Sequence, residues 1–287
     1  METITKILNG SGIAQTIRAR LKTQIARGPK KPGLAVILVG QDPASKIYVD
    51  FKTKASREVG MYLETYHFEE NIKEKKLLKL IDKLNKNKKI HGILVQLPLP
   101  SHIEDLSVLQ RVDPRKDVDG FHPENVGLLA MGYPRFISAT PKGIMHLLDH
   151  TNIDLVGKEV VVIGASNIVG KPLVQLLLDE EATVTVCHEK TQNLKVHTEH
   201  ADIIIVAAGV PKLLTADMVK KGVVVIDVGI NKVDGAVVGD VDFEKVKERA
   251  SYITPVPGGV GPMTVAMLLE NTWEAMCAIE GYRPSVI

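Results

Sequence analysis

Cysteine is scarce in this chain, whose 287 residues include only Cys187 and Cys277. Two thiols in separate segments build neither a disulfide framework nor a cysteine-ligated zinc site, and they favour a reducing compartment. An excess of one charge is also missing, since 36 lysines and arginines stand against 34 aspartates and glutamates. The net charge of +2 therefore gives no footprint for nucleic acid or a membrane surface.

Long apolar runs are absent as well. No stretch approaches the roughly 18 apolar residues of a membrane span, and Met1–Gly10 lacks the apolar centre of a signal peptide. Two histidine pairs have helical spacing, His146 with His150 and His197 with His200, but no third ligand stands near either pair. We expect a cytoplasmic protein with no membrane, nucleic-acid or metal partner.

Apolar runs that alternate with amphipathic stretches indicate an α/β fold with a parallel sheet. The runs are typical of strands buried on both faces; they are Leu34–Val39, Ile93–Leu97, Val160–Ile163, Thr183–Cys187, Ile203–Ala207 and Val223–Val228. The stretches between them predict helices at Ala44–Val59, Lys73–Leu84, Pro172–Leu178 and Thr215–Val219. A length of 287 residues favours two lobes with a cleft between them, at roughly 150 residues per domain.

The alternation of predicted strands and helices is interrupted in Asp113–Pro141. This segment contains four prolines, three glycines and one short predicted helix, Asn125–Met131. We therefore expect an N-terminal α/β catalytic lobe at residues 1–139 and a Rossmann-like, doubly wound lobe at residues 140–269.

Two predicted helices join these lobes. The first, Thr140–His150, has Thr140 as its N-cap and Pro141 in its first turn. The second, Gly261–Ile279, is long enough to return to the first lobe. Residues from about 270 to 287 are therefore expected to complete the first lobe.

One segment, Val160–Pro172, combines a buried strand, a glycine turn and a helix start. Backbone amides at such a helix N-terminus bind diphosphates, and glycines let the ligand approach the chain. The spacing of Gly164 and Gly170 departs from G-x-G-x-x-G, and Pro172 stands where a P-loop needs its hydroxyl. The segment favours a dinucleotide site; glycines that merely tighten a turn are the alternative.

The next predicted strand, Thr183–Cys187, is followed by His188 and Glu189. A carboxylate at this place can accept hydrogen bonds from the hydroxyls of an adenosine ribose, and it repels a ribose phosphate. Glu189 by itself favours NAD over NADP, and an ordinary surface carboxylate is the alternative.

Three polar residues of the first lobe form a candidate catalytic set. Tyr48 and Lys52 share one face of a helix that Asp42 and Pro43 are predicted to begin. A phenol and an amine at this spacing can shuttle a proton, provided that burial or an acceptor lowers the lysine pKa. Gln96, a neutral polar group in an apolar run, is the candidate acceptor. An ordinary amphipathic helix edge is the alternative.

Two further segments contain candidate ligand-binding groups. Asp117 and Asp119 place carboxylates beside Gly120, where an aspartate either binds a ligand or forms a turn. Pro255–Thr264 is too rich in proline and glycine for a regular element and directly precedes a predicted helix. Rigid loops of this kind line ligand sites.

Together, five motifs resemble those of the methylenetetrahydrofolate dehydrogenase/cyclohydrolase family, in the family's order and over nearly the whole chain. They are Val39–Lys52 (VGQDPASKIYVDFK), Gly92–Pro100 (GILVQLPLP), Lys116–Pro123 (KDVDGFHP), Gly164–Gly170 (GASNIVG) and Pro255–Thr264 (PVPGGVGPMT). The resemblance implies oxidation of 5,10-methylenetetrahydrofolate to 5,10-methenyltetrahydrofolate with NAD(P)+, then hydrolysis to 10-formyltetrahydrofolate. It places these reactions in one-carbon metabolism and purine biosynthesis and implies a homodimer.

The resemblance also implies the site: Lys52 as the central catalytic residue, Tyr48 and Gln96 assisting it, and Asp119 holding the pterin ring. The implied substrate-binding residues are Tyr48, Lys52, Val95, Gln96, Leu97, Asp119 and Pro262. The implied dinucleotide-binding residues are Gly164, Ala165, Ser166, Ile168, Val169, His188, Glu189, Thr191, Ala208, Gly209, Ile230 and Gly259.

Cofactor choice is where this chain departs from the resemblance. NADP is the default that the family implies, but many relatives have arginine in place of Ala165, and serine or arginine in place of Glu189. Lys171 or Lys190 is then the candidate partner of the NADP phosphate, and NAD is the alternative cofactor.

Two other functions fit parts of the pattern. A short-chain dehydrogenase also uses Tyr-x-x-x-Lys with a dinucleotide fold, but its glycine loop comes first, whereas Lys52 precedes Gly164 by more than 100 residues. A non-catalytic nucleotide-sensing module keeps the fold without turnover. The joint presence of Lys52, Tyr48, Gln96 and Asp119 argues against such a module.

Overall fold

The computed structural model describes residues 5–283. Its helices are α1 (Gly10–Arg27), α2 (Pro43–Glu58), α3 (Glu74–Lys86), α4 (Asp105–Arg111), α5 (Pro123–Ala130), α6 (Ala139–Asp149), α7 (Gly170–Asp179), α8 (Leu194–Thr198), α9 (Phe243–Lys247) and α10 (Val260–Glu280). Its strands are β1 (Lys6–Ile7), β2 (Gly33–Val39), β3 (Tyr62–Phe68), β4 (Gly92–Val95), β5 (Glu159–Ile163), β6 (Thr183–Cys187), β7 (Ile203–Val206), β8 (Val224–Asp227), β9 (Asn231–Val233), β10 (Ala236–Val238) and β11 (Tyr252–Ile253).

The chain forms two compact units. The six-stranded unit contains residues 5–14 and 140–264, and the three-stranded unit contains residues 15–139 and 265–283. Residues 5–14 lie with the six-stranded unit, whereas the sequence placed them with residues 15–139; the difference arises because β1 pairs with β11 in the six-stranded sheet. The last boundary falls after residue 264 rather than 269. The ends of the predicted lobes, residues 1–4 and 284–287, lie outside the described residues.

The sheet of the six-stranded unit has the order β1-β11-β8-β7-β5-β6, and all its neighbours are parallel. The chain runs from β5 to β6 on one side and then to β7 and β8 on the other, so the winding reverses at β5. In such a doubly wound sheet, ligands bind beyond the carboxyl ends of the strands at that reversal. This architecture confirms the Rossmann-like fold that the sequence predicts.

The sheet of the three-stranded unit is also parallel, with the order β3-β2-β4. Every residue of β2 and β4 is buried, which explains their uninterrupted apolar sequences. Helix α3 packs Leu77, Ile81 and Leu84 into the same core. The carboxyl end of β4 is followed directly by Gln96, which the core therefore holds in place.

Four local predictions need correction. Thr183–Cys187 is not buried on both faces, because β6 lies at the edge of its sheet and Val186 is exposed. Strand β4 ends at Val95, so Gln96 and Leu97 lie beyond it. Thr215–Val219 forms only a 3-10 turn at Ala216–Met218, and Thr140 lies inside α6 rather than at its N-cap.

Candidate active site

Helix α2 carries the candidate catalytic face of the three-stranded unit. The Asp42 side chain accepts a hydrogen bond of 2.7 Å from the Ser45 amide and so caps the helix, with Pro43 in its first turn. Tyr48 and Lys52 follow one turn apart on one face. Tyr48 is half-buried, and this burial raises the pKa of its hydroxyl.

Lys52 is a buried amine with an amide partner. The residue is 8% exposed, and its Nζ donates a hydrogen bond of 3.0 Å to Gln96 Oε1. Gln96 is itself oriented, because its Nε2 donates to the Leu97 carbonyl oxygen at 2.7 Å and its backbone amide donates to the Ile37 carbonyl oxygen at 2.9 Å. Burial lowers the pKa of Lys52, while the negative charge of Asp119 opposes this shift. The expectation that an acceptor lowers this pKa is wrong, because the Gln96 oxygen stabilises the ammonium form of Lys52.

The charges of Asp119 and Lys52 interact, and each shifts the pKa of the other. Burial raises the pKa of Asp119 to about 6, the nearby Lys52 ammonium lowers it, and the neighbouring Asp117 carboxylate raises it. No residue among 5–283 donates a hydrogen bond to the Asp119 carboxylate. Its oxygens are therefore available to a ligand.

Asp117 and Asp119 have different surroundings in the structure. Asp117 is buried and accepts hydrogen bonds of 2.8 Å from the His122 amide and from Asn125 Nδ2. It is a turn-former that fixes the loop, as one of the two sequence interpretations expected. Burial raises the pKa of Asp117. Because its hydrogen bonds go to His122 and Asn125, Asp117 holds the segment that presents Asp119.

A second support of this loop is Asn271 in α10, which was not predicted from the sequence. Its Nδ2 donates hydrogen bonds of 2.8 Å to the carbonyl oxygens of Val118 and Ile137. Gly120 lies in the chain between Val118 and Ile137. Its φ is +72°, and a Cβ there would lie 2.9 Å from the Ser138 amide nitrogen, so this position requires glycine. The available signal was an asparagine within the predicted helix Gly261–Ile279, whose apolar residues recur with helical spacing.

The remaining predicted substrate residues are placed differently. Val95 is buried in the apolar core of the three-stranded unit. Leu97 is partly exposed. Pro262 belongs to the six-stranded unit and lies in the first turn of α10, which begins at Val260.

The predicted dinucleotide turn joins β5 to α7 in the six-stranded unit. Gly164 has φ of +123°, and a Cβ there would lie 2.2 Å from the Ala207 carbonyl oxygen. A Cβ on Gly170 would lie 2.0 Å from the Gly164 carbonyl oxygen. Ser166 Oγ accepts a hydrogen bond of 3.2 Å from the Val169 amide. The tight turn therefore requires glycine at both positions. The exposed residues between them lead into the N-terminus of α7, a place where backbone amides can bind a diphosphate.

The side chains of this turn are open to solvent. Ala165 is partly exposed, Ser166 is exposed, and Ile168 is 39% exposed. Lys171 Nζ donates a hydrogen bond of 2.7 Å to Asn167 Oδ1 on the same turn.

Beyond β6, the chain makes a tight turn at His188–Thr191. The His188 amide donates to Thr191 Oγ1 at 2.9 Å, and the Thr191 amide donates to the His188 carbonyl oxygen at 2.8 Å. Glu189 and Lys190 point into solvent, with side chains 81% and 80% exposed, and form an ion pair at 3.2 Å. Both charges are thus available to an adenosine ribose or its phosphate.

The remaining predicted dinucleotide-binding residues lie in three places. Ala208 and Gly209 follow β7, Ile230 follows β8, and Gly259 directly precedes α10. The amides of Ala208 and Gly209 are occupied by Asp240, an aspartate that sequence analysis did not single out. Ile230 is 48% exposed. Gly259 is buried, and a Cβ there would lie 2.6 Å from the Pro255 carbonyl oxygen.

A surface groove of about 370 Å³ lies on a different face of α2 from Tyr48 and Lys52. None of the predicted site residues lines it. Its lining residues are Val36, Leu38, Lys46, Val49, Asp50, Thr53, Arg57, Thr65, Tyr66 and His67.

Within residues 5–283, no three histidine, cysteine, aspartate or glutamate side chains are grouped to hold a metal ion. In the same part of the chain, no helix is both long and apolar enough to cross a membrane.

Comparison with known proteins bears on both units. The family model for the tetrahydrofolate dehydrogenase/cyclohydrolase catalytic domain matches residues 8–119, and the model for the NAD(P)-binding domain of the same family matches residues 138–280. A relative from Exiguobacterium sibiricum, bifunctional protein FolD, is 55% identical over 272 residues, which are 94% of this chain and 98% of the relative.

Two solved structures are similar throughout. The bifunctional enzyme FolD, a methylenetetrahydrofolate dehydrogenase/cyclohydrolase from Campylobacter jejuni, is 52% identical with a TM-score of 0.94, covering 96% of this chain and 99% of that one. The Trypanosoma brucei methylenetetrahydrofolate dehydrogenase-cyclohydrolase, complexed with NADP cofactor and inhibitor, is 37% identical with a TM-score of 0.93, covering 96% and 98%.

Proposed function

Because the chain belongs to the tetrahydrofolate dehydrogenase/cyclohydrolase family, we propose that Lys52 is the catalytic residue of its cyclohydrolase reaction, assisted by Tyr48 and Gln96. The enzyme oxidises 5,10-methylenetetrahydrofolate with a nicotinamide dinucleotide and hydrolyses the 5,10-methenyltetrahydrofolate that results. The observation that carries the proposal is the hydrogen bond of 3.0 Å between the buried Lys52 amine and Gln96.

The first reaction, the transfer of a hydride, requires little acid-base catalysis by the protein. A hydride leaves the methylene bridge for the dinucleotide, and the adjacent folate nitrogen stabilises the methenyl cation with its lone pair. Positioning of the folate therefore dominates this step. The exposed turn that follows Gly164 leads into the N-terminus of α7 at Gly170, and a helix N-terminus in this position can bind the diphosphate of the dinucleotide.

The second reaction adds water to the methenyl carbon, and here a base is required. Neutral Lys52 takes a proton from the attacking water, and Tyr48, one helical turn away, relays a proton to the nitrogen released when the ring opens. One proton is released overall, and 10-formyltetrahydrofolate is formed. Burial favours the neutral amine because it lowers the pKa of Lys52.

Asp119 holds the pterin in this proposal. A carboxylate can accept two hydrogen bonds from the amino and ring N–H groups of a 2-amino-4-oxopyrimidine edge. The Asp119 oxygens accept no hydrogen bond from the described residues, and Asp117 and Asn271 fix its loop. A rigid acceptor positioned near Lys52 is what the orientation of a folate requires.

The test of the central assignment is the variant Lys52→Met. We expect its cyclohydrolase activity to fall by about 10²- to 10⁴-fold, the usual contribution of a general base, while dehydrogenase activity falls much less. Lys54→Met, which removes an exposed lysine from the same helix, is the matched control and should behave as wild type. Full cyclohydrolase activity in Lys52→Met would refute the assignment.

For the dinucleotide we propose NADP, with Lys190 or Lys171 binding its phosphate. The exposed Lys190 ammonium lies 3.2 Å from the Glu189 carboxylate and offsets its repulsion of a phosphate. The alternative, NAD with Glu189 binding the ribose hydroxyls, is supported by the exposure of that carboxylate and by Ala165.

Rates of methenyl formation with NADP and with NAD distinguish these two assignments. If NADP is preferred, Lys190→Ala or Lys171→Ala should lower kcat/KM for NADP alone. If NAD is preferred, Glu189→Gln should lower kcat/KM for NAD, and the NADP proposal is wrong. A wild-type enzyme that uses neither dinucleotide contradicts the dehydrogenase function itself.

We also propose a cytoplasmic homodimer, as the family resemblance implies. The two cysteines within the described residues are buried and unpaired, as is usual in a reducing compartment. Light scattering of the purified protein tests the dimer: a mass of one chain at micromolar concentration contradicts it.

A further inference from the structure

Two buried aspartates lie beneath the loops of the six-stranded sheet. Asp227 is the last residue of β8 and is 2% exposed, and Asp240 follows β10 and is fully buried. Asp240 Oδ2 accepts hydrogen bonds from the amides of Ala208 and Gly209, at 2.7 and 2.8 Å. Its Oδ1 accepts a hydrogen bond of 2.8 Å from Asn231 Nδ2. One carboxylate therefore ties together two loops that are distant in sequence.

Asp227 holds the backbone that carries Asp240. Its carboxylate accepts hydrogen bonds from the amides of Gly229, Asp240 and Val241, at 3.0, 2.9 and 3.0 Å. Burial raises the pKa of Asp227 to about 6, the amides lower it, and the Asp240 charge raises it. Because burying a charge is costly, three donors on each carboxylate indicate a selected arrangement.

Two glycines make room for these carboxylates. A Cβ on Gly229 would lie 2.1 Å from Asp240 Cγ, and a Cβ on Gly239 would lie 1.8 Å from Asp227 Oδ2. Each aspartate thus occupies the space that a side chain on the other segment would fill. We call Asp227, Gly229, Gly239 and Asp240 the aspartate-glycine interlock.

The interlock reaches the dinucleotide turn through backbone contacts. Ala207, directly before the amides bound by Asp240, donates to the Ile163 carbonyl oxygen at 2.7 Å. The Ala207 carbonyl oxygen is the atom that a Cβ on Gly164 would meet at 2.2 Å. The second loop bound by Asp240 contains the exposed Ile230. Both loops lie where a doubly wound sheet binds its ligand.

We infer that Asp240 is a positioning residue for the dinucleotide: it fixes the loops at Ala208–Gly209 and Gly229–Asn231 in the conformation that binds the cofactor. This inference rests on the proposed assignment of those loops to the cofactor site. Asp240 is fully buried and touches no solvent, so it acts through the loops. All three of its side-chain hydrogen bonds go to them.

The two reactions of the enzyme provide the test. Asp240→Ala leaves the amides of Ala208 and Gly209 without an acceptor, so the loops sample other conformations and the binding-competent fraction falls. We expect the KM for the dinucleotide to rise about tenfold or more. Cyclohydrolase activity, measured with 5,10-methenyltetrahydrofolate supplied directly, should stay within about twofold of wild type, because Lys52 and Asp119 are untouched.

Asp242→Ala is the matched control, since it removes a carboxylate two residues away whose partner is Lys245. It should change neither activity. Asp240→Asn keeps one oxygen for the two amides and should restore most of the dinucleotide affinity. If Asp240→Ala does not fold, Asn231→Ala removes one hydrogen bond of the same network and should raise the dinucleotide KM about threefold.

The inference is overturned if the dinucleotide KM of a folded variant, Asp240→Ala or otherwise Asn231→Ala, stays within twofold of wild type. It is also overturned if both activities fall by the same factor, which is the result of a merely structural role. Failure of the proposed function is a different observation, because there the wild-type enzyme itself does not turn over with either dinucleotide.

Discussion

The pKa of Asp119 leads to a prediction about folate affinity. With a pKa of about 6, about nine tenths of the carboxyl group is ionised at pH 7 and about one tenth at pH 5. Only the ionised form accepts both hydrogen bonds from the pterin edge. We therefore expect the Kd for tetrahydrofolate, which lacks a one-carbon unit and is not turned over, to rise about tenfold from pH 7 to pH 5. Titration calorimetry at each pH measures this.

The same prediction has an internal control in Lys52. The Lys52 ammonium lowers the pKa of Asp119, so Lys52→Met should move the transition in Kd to higher pH, whereas Lys54→Met should leave it near 6. Asp119→Asn, which cannot ionise, should bind weakly at every pH. The reasoning is refuted if the Kd of wild type does not change between pH 7 and 5, or if Asp119→Asn keeps the full pH dependence.

Three further predictions concern single contacts. Cyclohydrolase activity should rise with pH as Lys52 loses its proton. Gln96→Leu should move this rise to lower pH, because the Lys52 ammonium loses its acceptor, and Gln96→Glu should move it to higher pH. If both variants shift the rise in the same direction, the assigned role of Gln96 is wrong. Gly164→Ala should lower the free energy of unfolding by about 2 kcal/mol or more. Gly222→Ala is the control, because Gly222 has a positive φ but open space around it, and it should lower the free energy of unfolding by about 1 kcal/mol. Equal denaturant midpoints for the two variants would exclude the steric argument. Asn271→Ala should lower the free energy of unfolding by about 2 kcal/mol, since it removes two buried hydrogen bonds, and an unchanged urea midpoint would show that they contribute nothing.

The parts of the fold that the sequence predicts well are the strands buried on both faces. Strands β2, β5 and β8 appear as apolar runs because no face needs polar residues. Strand β3 contains the partly exposed Glu64 and the exposed His67, so it gives no such run and was not predicted. Strand β6 also has exposed residues, Thr183 and Val186, so the burial predicted for both of its faces was wrong.

The site shows a similar division between local and distant contacts. The contact between Lys52 and Gln96 was predicted from a helix face and a polar residue at a strand end, and it is present. Choosing between Asp117 and Asp119 required Asn125 and the His122 amide, which only the folded loop brings to Asp117. Contacts across long separations, such as Asp240 with Ala208, leave no local pattern in a single sequence.

The aspartate-glycine interlock also limits how this sequence can change over generations. A side chain at position 229 needs a smaller residue at 240, and one at position 239 needs a smaller residue at 227, because the carboxylates already occupy the space. Either member changed alone produces a collision or a void. These pairs are therefore expected to be inherited together, and a lineage that alters one of them must pass through a damaged enzyme or change both at once.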